Sequence, residues 1–222
     1  MPGLAASVAI FERIKLPEDQ FEMVFLEWEI PFEKETLADY AKRMVAKIKH
    51  ENPVLIGVSF GGILVQEMAG FIVTRKVIII SSVKTNLEFP RRMIIAKNTK
   101  AYKLIPSSLV QNIESLAKFS FGKKVNQRLK LYEKFLSVRD KRYLDWAIEQ
   151  VILWNRTVAD QKVIHIHGDL DDVFPIKYIK NSIEVTGGTH IMILNKYKWL
   201  NANLPSIIMT DLVLDGDKKE LC

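Results

Sequence analysis

Few side chains in this sequence could do chemistry, and Ser59 is placed best to do it. It lies in Gly57-Val58-Ser59-Phe60-Gly61-Gly62, a G-x-S-x-G run. The short apolar, β-branched run Pro53-Val54-Leu55-Ile56 precedes it, as a buried strand would. Ile63 to Ala69 follows without proline or turn residues, as a buried helix would. A strand that turns straight into a helix holds the serine on a strained turn with its hydroxyl exposed. A side chain at Gly57 or Gly61 would crowd that turn. The helix also aims its unpaired N–H groups at the reacting centre. These are the requirements of a nucleophile.

A serine nucleophile needs a base to take its proton and an acid to orient the base. The chain has four histidines. His50 ends an amphipathic segment, where a polar residue is unremarkable. His165 and His167 lie on or at the end of an apolar strand. His190 follows Gly187-Gly188-Thr189 just after the strand signal Ser182 to Val185, so it falls on a loop at the strand's carboxyl end. That is the sheet edge where Ser59 is expected. The acid belongs on the preceding loop, His167-Gly168-Asp169-Leu170-Asp171-Asp172-Val173-Phe174-Pro175. Three carboxylates compete there, and at least two must be solvated, because three buried acids would raise one another's pKa. The chain order is Ser, Asp, His.

A metal centre is the rival reading of that stretch. His165-x-His167-x-Asp169 would put three ligand-type side chains on one strand face. No fourth ligand cluster accompanies them, and His165 falls deep in an apolar run. The expectation is therefore a core histidine bonded to backbone, and no metal or organic cofactor.

These groups need a scaffold that presents them along one edge. Val54 to Gly57, Lys76 to Ser82, Lys162 to His167 and Ser182 to Val185 read as strands, and so does Glu22 to Trp28. Thr36 to His50 reads as an amphipathic helix with Leu37, Tyr40, Ala41, Met44, Val45 and Ile48 on one face, and Thr36 with Asp39 forms a capping box. Tyr197 to Met209 reads as a helix bent at Pro205. Alternating strands and helices predict an α/β fold with a mostly parallel sheet. Between the strands at 76–82 and 162–167 the signals are helical only: Leu109 to Phe119, Val125 to Leu136, and Tyr143 to Trp154 with a start bracketed by Ser137 and Asp140. The predicted organisation is a core of residues 1–83 and 161–222 with residues 84–160 inserted as a helical cap over the carboxyl ends of the strands.

A chain of 222 residues with 48% hydrophobic and 26% charged residues is ample for one such domain. The apolar start Met1 to Ile10 lacks a basic leader and soon meets Glu12-Arg13, so a signal peptide is not expected. The single cysteine, Cys222, allows no internal disulfide, and a cytoplasmic location is the expectation. The net charge of +6 is uneven: residues 84–160 hold sixteen Lys or Arg against seven Asp or Glu, or +9, and the remainder holds −3. A solvated basic surface on the cap accounts for this; an anionic substrate or acidic membrane surface is the sharper alternative. No aromatic-interleaved basic motif or zinc-finger spacing suggests a nucleic-acid partner. No apolar run is long enough for membrane insertion.

Taken together, the sequence resembles the α/β-hydrolase superfamily, in its small capped serine-esterase-like branch, over nearly the whole chain. Gly57 to Gly62 matches the nucleophile elbow. Gly168-x-x-Asp171-x-x-x-Pro175 matches the acid loop, and this resemblance selects Asp171 from the three carboxylates. Gly187-Gly188-Thr189-His190 looks like the histidine loop, and Pro2-Gly3-Leu4 like the oxyanion loop. The resemblance implies Ser59, Asp171 and His190 as catalytic residues and the backbone N–H groups of Leu4 and Phe60 as the oxyanion hole. It implies cleavage of a small-molecule carboxylic ester through an acyl-enzyme. Thioester or carbon–carbon bond hydrolysis on the same triad is the alternative, as is a non-catalytic ligand-binding protein of the same fold. The sequence departs from the family at its start. The strand that runs into the oxyanion loop is missing from it, since Met1 stands two residues before Gly3. That predicts a gap between the strands at 23–28 and 54–57 and a poorly fixed Leu4.

Overall fold

The computed structural model describes residues 1–104 and 134–210. Within them four strands form one parallel sheet: β1 (Val54–Val58), β2 (Lys76–Ile80), β3 (Val163–Gly168) and β4 (Ile183–Val185), in that spatial order. Val58 pairs with Ile80, Ile80 with Ile166, and Gly168 with Val185, so the strands end nearly level. Every residue of β3 is buried, as expected for a strand covered on both faces.

Helix α1 (Leu37–Val45) is capped by Thr36, whose Oγ1 accepts from the Asp39 amide at 3.1 Å and donates to the Asp39 carboxylate at 2.6 Å. It ends before the expected His50. The chain tightens into turns, with Lys47 N–H donating to Met44 and Ile48 N–H to Val45, which leave Ile48 packed against the core. Helix α2 (Phe60–Met68) is buried at eight of its nine residues, packs on β1 and β2, and carries α1 on its side.

The segment 22–28 is not a strand and pairs with none of β1 to β4. Side chains anchor its end instead. Trp28 Nε1–H donates to the Gly3 carbonyl at 2.8 Å, and Tyr40 Oη accepts from the Glu29 amide at 2.8 Å. The place beside β1 is taken by Met1. Its nitrogen donates to Ile56 O at 2.7 Å, and its carbonyl accepts from Val58 N–H at 3.0 Å, which is the pattern of a parallel bridge opposite Gly57.

The expectation of a poorly fixed Leu4 is therefore overturned. Leu4 is buried, Ala5 N–H donates to Tyr143 Oη at 3.3 Å, and Ala6 N–H donates to Gly3 O at 3.1 Å. Gly61 completes the clamp. A Cβ there would come within 2.4 Å of Pro2 O and 2.5 Å of Met1 O, so only glycine lets the first residues lie against α2.

β2 and β3 are neighbours, and the described residues between them form helices and turns only. Helix α3 (Arg91–Thr99) and helix α4 (Lys141–Leu153) are the long ones. The helices expected at Leu109–Phe119 and over most of Val125–Leu136 lie outside the described residues. α4 begins at Asp140, whose carboxylate accepts from the Arg142 and Tyr143 amides at 2.8 and 3.2 Å; Ser137 is not the cap. Its inner face meets the sheet domain through an aromatic cluster. Trp28 stacks on Phe60 at 4.8 Å, Tyr143 lies 5.3 Å from Trp28, and Trp146 lies 4.6 Å from Tyr40. Two short-linked helices, α5 (Met192–Asn195) and α6 (Tyr197–Met209, containing Pro205), close the fold. No helix among the described residues is long and apolar enough to cross a membrane.

Candidate active site

Ser59 stands between β1 and α2 with φ 52° and ψ −120°, a backbone conformation that a residue with a side chain adopts only at a cost. Its amide donates to Ile80 O at 2.9 Å, which carries the β1–β2 ladder into the turn. Its carbonyl accepts from Gly62 N–H at 2.8 Å and from Ser82 Oγ at 2.7 Å. The elbow is thus bonded on both sides while the side chain stays partly exposed.

The loops after β3 and β4 bring the other two groups to it. They touch backbone to backbone: a Cβ on Gly168 would lie 2.2 Å from Gly188 O, and Leu170 N–H donates to that same oxygen at 2.8 Å. This contact sets Asp171 against His190. His190 Nδ1 lies 2.8 Å from Asp171 Oδ2, and His190 Nε2 lies 3.0 Å from Ser59 Oγ. A carboxylate only accepts, so Nδ1 carries the proton, and in the neutral ring Nε2 is free to accept from the serine hydroxyl. Asp171 Oδ1 accepts from the Val173 and Phe174 amides at 2.8 and 2.9 Å. Burial opposes ionisation of Asp171, but His190, His167 and the Phe174 amide outweigh it and hold its pKa below the ordinary value. The carboxylate is therefore charged at neutral pH. His190 is buried, and the Phe174 ring packs edge-on against it at 5.5 Å.

Of the three competing acids, Asp171 alone is fully buried; Asp169 and Asp172 are half-exposed. Gly3 lies against Ser59, since a Cβ on it would be 3.3 Å from Ser59 Cβ and 3.9 Å from Ser59 Oγ. Leu4 is the next residue, and Phe60 opens α2, where amides have no intrahelical acceptor. His50 is remote from this cluster, exposed and 3.1 Å from Glu22. His165 is a core histidine, but its ring partner is another ring: His165 Nε2 and His167 Nδ1 are 3.0 Å apart. In the row that the rival metal reading drew on, His165 and His167 are thus bonded to each other. Among the described residues no group of three His, Cys, Asp or Glu could hold a metal ion.

Trp146 and Trp154, on and just after α4, are buried and bonded to other elements. Their Nε1–H groups donate to Glu35 O at 2.7 Å and Glu67 Oε1 at 3.0 Å. Three supporting residues escape sequence reading. Ser82 braces the elbow, Trp28 holds Gly3, and His167 Nε2–H donates to Phe174 O at 2.8 Å. Ser82 follows β2 at the carboxyl edge, a position that flags it. Trp28 carries no such signal.

No family model matches the sequence, and no curated protein is significantly similar to it. Solved structures are similar to it in fold. The chain superposes on the esterase EaEST from Exiguobacterium antarcticum with a TM-score of 0.69 at 17% identity, covering 95% of this chain and 92% of that one. The chain has the α/β-hydrolase fold. A hydrolase from Pseudomonas aeruginosa PA01 gives a TM-score of 0.66 at 11% identity over 94% of this chain and 88% of that one. A thermophilic esterase from Thermogutta terrifontis gives 0.63 at 11% identity, covering 94% and 89%. In this α/β-hydrolase fold Ser59, Asp171 and His190 all lie at the carboxyl edge of the sheet, where such folds bind ligands.

Proposed function

We propose that the chain is a serine hydrolase of carboxylic esters. The observation that carries this reading is the bonded series Ser59 Oγ, His190 Nε2, His190 Nδ1, Asp171 Oδ2, with a strained serine at one end and a buried carboxylate at the other. In the proposed reaction His190 removes the Ser59 proton as Oγ attacks the ester carbonyl. The tetrahedral oxyanion is held by the amides of Leu4 and Phe60. His190, now an imidazolium steadied by Asp171, gives its proton to the departing alcohol. Water then enters by the same route: His190 deprotonates it as its oxygen attacks the acyl carbon, then returns the proton to Ser59 Oγ as the acyl–oxygen bond breaks and the carboxylic acid is released. No step calls for a metal or an organic cofactor.

Residues 84–160 are proposed as a cap over this edge. Arg92 at the start of α3 supports that placement, because Nη2 donates to the carbonyls of Asp172 and Val173 in the acid loop at 2.8 and 2.6 Å. The substrate is a small ester; its acyl length is left to the assay. Purified wild type and Ser59→Ala are compared on p-nitrophenyl acetate, butyrate and octanoate, together with labelling by a fluorophosphonate probe. Turnover and labelling by wild type alone is the expected result. Equal rates for the two proteins, or an unlabelled Ser59, would overturn the proposal.

A further inference from the structure

The two histidines of β3 are unused by the reaction above, yet they are fully buried and bonded in a row that ends at the acid loop. The direction of each bond follows from chemistry. The Phe174 carbonyl can only accept, so His167 Nε2 carries a proton and donates it across 2.8 Å. Burial lowers the pKa of both rings below the ordinary value and keeps them neutral at pH 7. A neutral His167 protonated on Nε2 has a bare Nδ1, so the contact with His165 at 3.0 Å is a donation from His165 Nε2–H. The Phe174 carbonyl thus fixes the tautomer of His167, and the His165 Nε2–H meets the bare Nδ1 that this leaves.

The Phe174 backbone is the rung between these rings and the acid. Its carbonyl is held by His167, and its amide donates to Asp171 Oδ1 at 2.9 Å. His167 Nε2 also lies 3.5 Å from Asp171 Oδ2, the oxygen bonded to His190. Around His167 the titratable groups are His165 on its own strand, Asp171 on the acid loop, His190 beyond β4 and Glu184 on β4.

We infer that His167 is a positioning residue for Asp171, held in its donating tautomer by the Phe174 carbonyl and matched on its other nitrogen by His165. This rests on the reading of Ser59, His190 and Asp171 as a triad. Without His167 the acid loop loses one of its ties, Asp171 steadies the imidazolium less well, and the His190–Asp171 bond lengthens.

The test compares wild type, His167→Phe and His167→Gln; the phenyl ring keeps most of the volume, and the glutamine amide restores an N–H near the Phe174 carbonyl. In His167→Phe, kcat falls roughly tenfold with KM little changed, far short of the ~10⁴ loss from disabling a triad acid. The acid limb of the kcat/KM profile moves to lower pH, and His167→Gln recovers most of both effects. The second readout needs no turnover: the downfield proton NMR signal of His190 Nδ1–H moves upfield and broadens in His167→Phe. If no ester is hydrolysed and Ser59 is not labelled, the esterase reading fails while this signal still judges the positioning role. An unmoved signal, or glutamine no better than phenylalanine, overturns the inference. Should His167→Phe not fold, His165→Leu carries the test, with a smaller shift of the signal in the same direction expected and no shift overturning it.

Discussion

Ser59 is held at φ 52° and ψ −120°, and that strain is measurable by itself. The comparison is between Ser59→Ala and Ser59→Gly. Both lose the hydroxyl and its 3.0 Å contact with His190, so the catalytic hydrogen bond cancels in the difference. What remains is backbone. Alanine keeps a Cβ and pays for the unfavourable φ, about 1–3 kcal/mol for such a residue. Glycine relieves that strain but gains about 0.4–1 kcal/mol of freedom in the unfolded chain. With mid-range values of about 2 and about 0.7 kcal/mol, the expected difference is about 1.3 kcal/mol in favour of glycine, or about 3–5 °C in melting temperature for a domain of this size. Urea and thermal unfolding followed by circular dichroism measure it, with equal m-values as the control for a two-state comparison. Neither variant should turn over an ester. If glycine proved as stable as alanine or less, the turn would not be storing strain, and the account of the exposed hydroxyl would fail.

Gly61→Ala should destabilise the protein by at least about 2 kcal/mol in urea, because its Cβ would meet the Pro2 and Met1 carbonyls at 2.4 and 2.5 Å. Loosened Met1–Ala6 contacts should show as faster hydrogen exchange at Val58 and Ala6. Trp28→Phe keeps the stack on Phe60 but loses the donor to Gly3 O, which still accepts from Ala6 N–H. It should cost about 1 kcal/mol of stability and lower kcat more than it raises KM, as loosening of the Leu4 amide predicts. The pH dependence of stability follows from the buried histidines. Folded His165 and His167 resist protonation below their ordinary value of 6.5, whereas the unfolded chain accepts protons there. The unfolded state therefore binds more protons, and stability falls as pH drops below about 6.5, by at most ~1.4 kcal/mol per pH unit for each ring. Asp171 adds its own loss further down, as pH falls below the ordinary carboxylate value of 3.8. Urea midpoints at pH 7.5, 6.5 and 5.5 that rose on acidification would contradict this sign.

The legible parts of this fold are those whose signals are local. The strand before Ser59, the elbow and α2 are contiguous, and so is the capping of α1 by Thr36. β2 and β3 are short apolar runs buried on both faces, β4 is a shorter one that buries Ile183 and Val185 and exposes Glu184, and each is seen within two residues of its place. His190 was readable because a strand, two glycines and a histidine follow one another. Asp171 needed more: composition left three acids open, and only spacing by resemblance chose among them. Their separation in the structure is tertiary, since the contact of Gly168 with Gly188 decides which carboxylate turns inward. The same holds for Trp28, Ser82 and His167, whose partners lie 25, 23 and 7 residues away.

The misreading of 22–28 and of the first residues has one cause. Periodicity counts apolar positions along a segment, and a strand exists only if a neighbour offers its backbone. Met23, Val24 and Phe25 have the composition of a strand but no ladder partner, and they remain exposed. Met1 to Leu4 is too short to give any strand signal, yet Met1 makes both bonds of a bridge to β1. One bridge would not hold residues 1–6 in place by itself. They are held because three constraints cross them from different elements: two side-chain bonds, the Trp28 indole on Gly3 and the Tyr143 hydroxyl on Ala5, and the close approach of the bare Cα of Gly61 to Pro2. Tyr143 belongs to α4, inside the segment read as a cap, so that segment also has a role in the core. It ties that segment to the loop beside Ser59 together with Val138, whose N–H donates to Ala5 O, and Phe135, whose carbonyl accepts from Ser7 N–H, so a change in how α4 sits would reach Leu4 through these bonds.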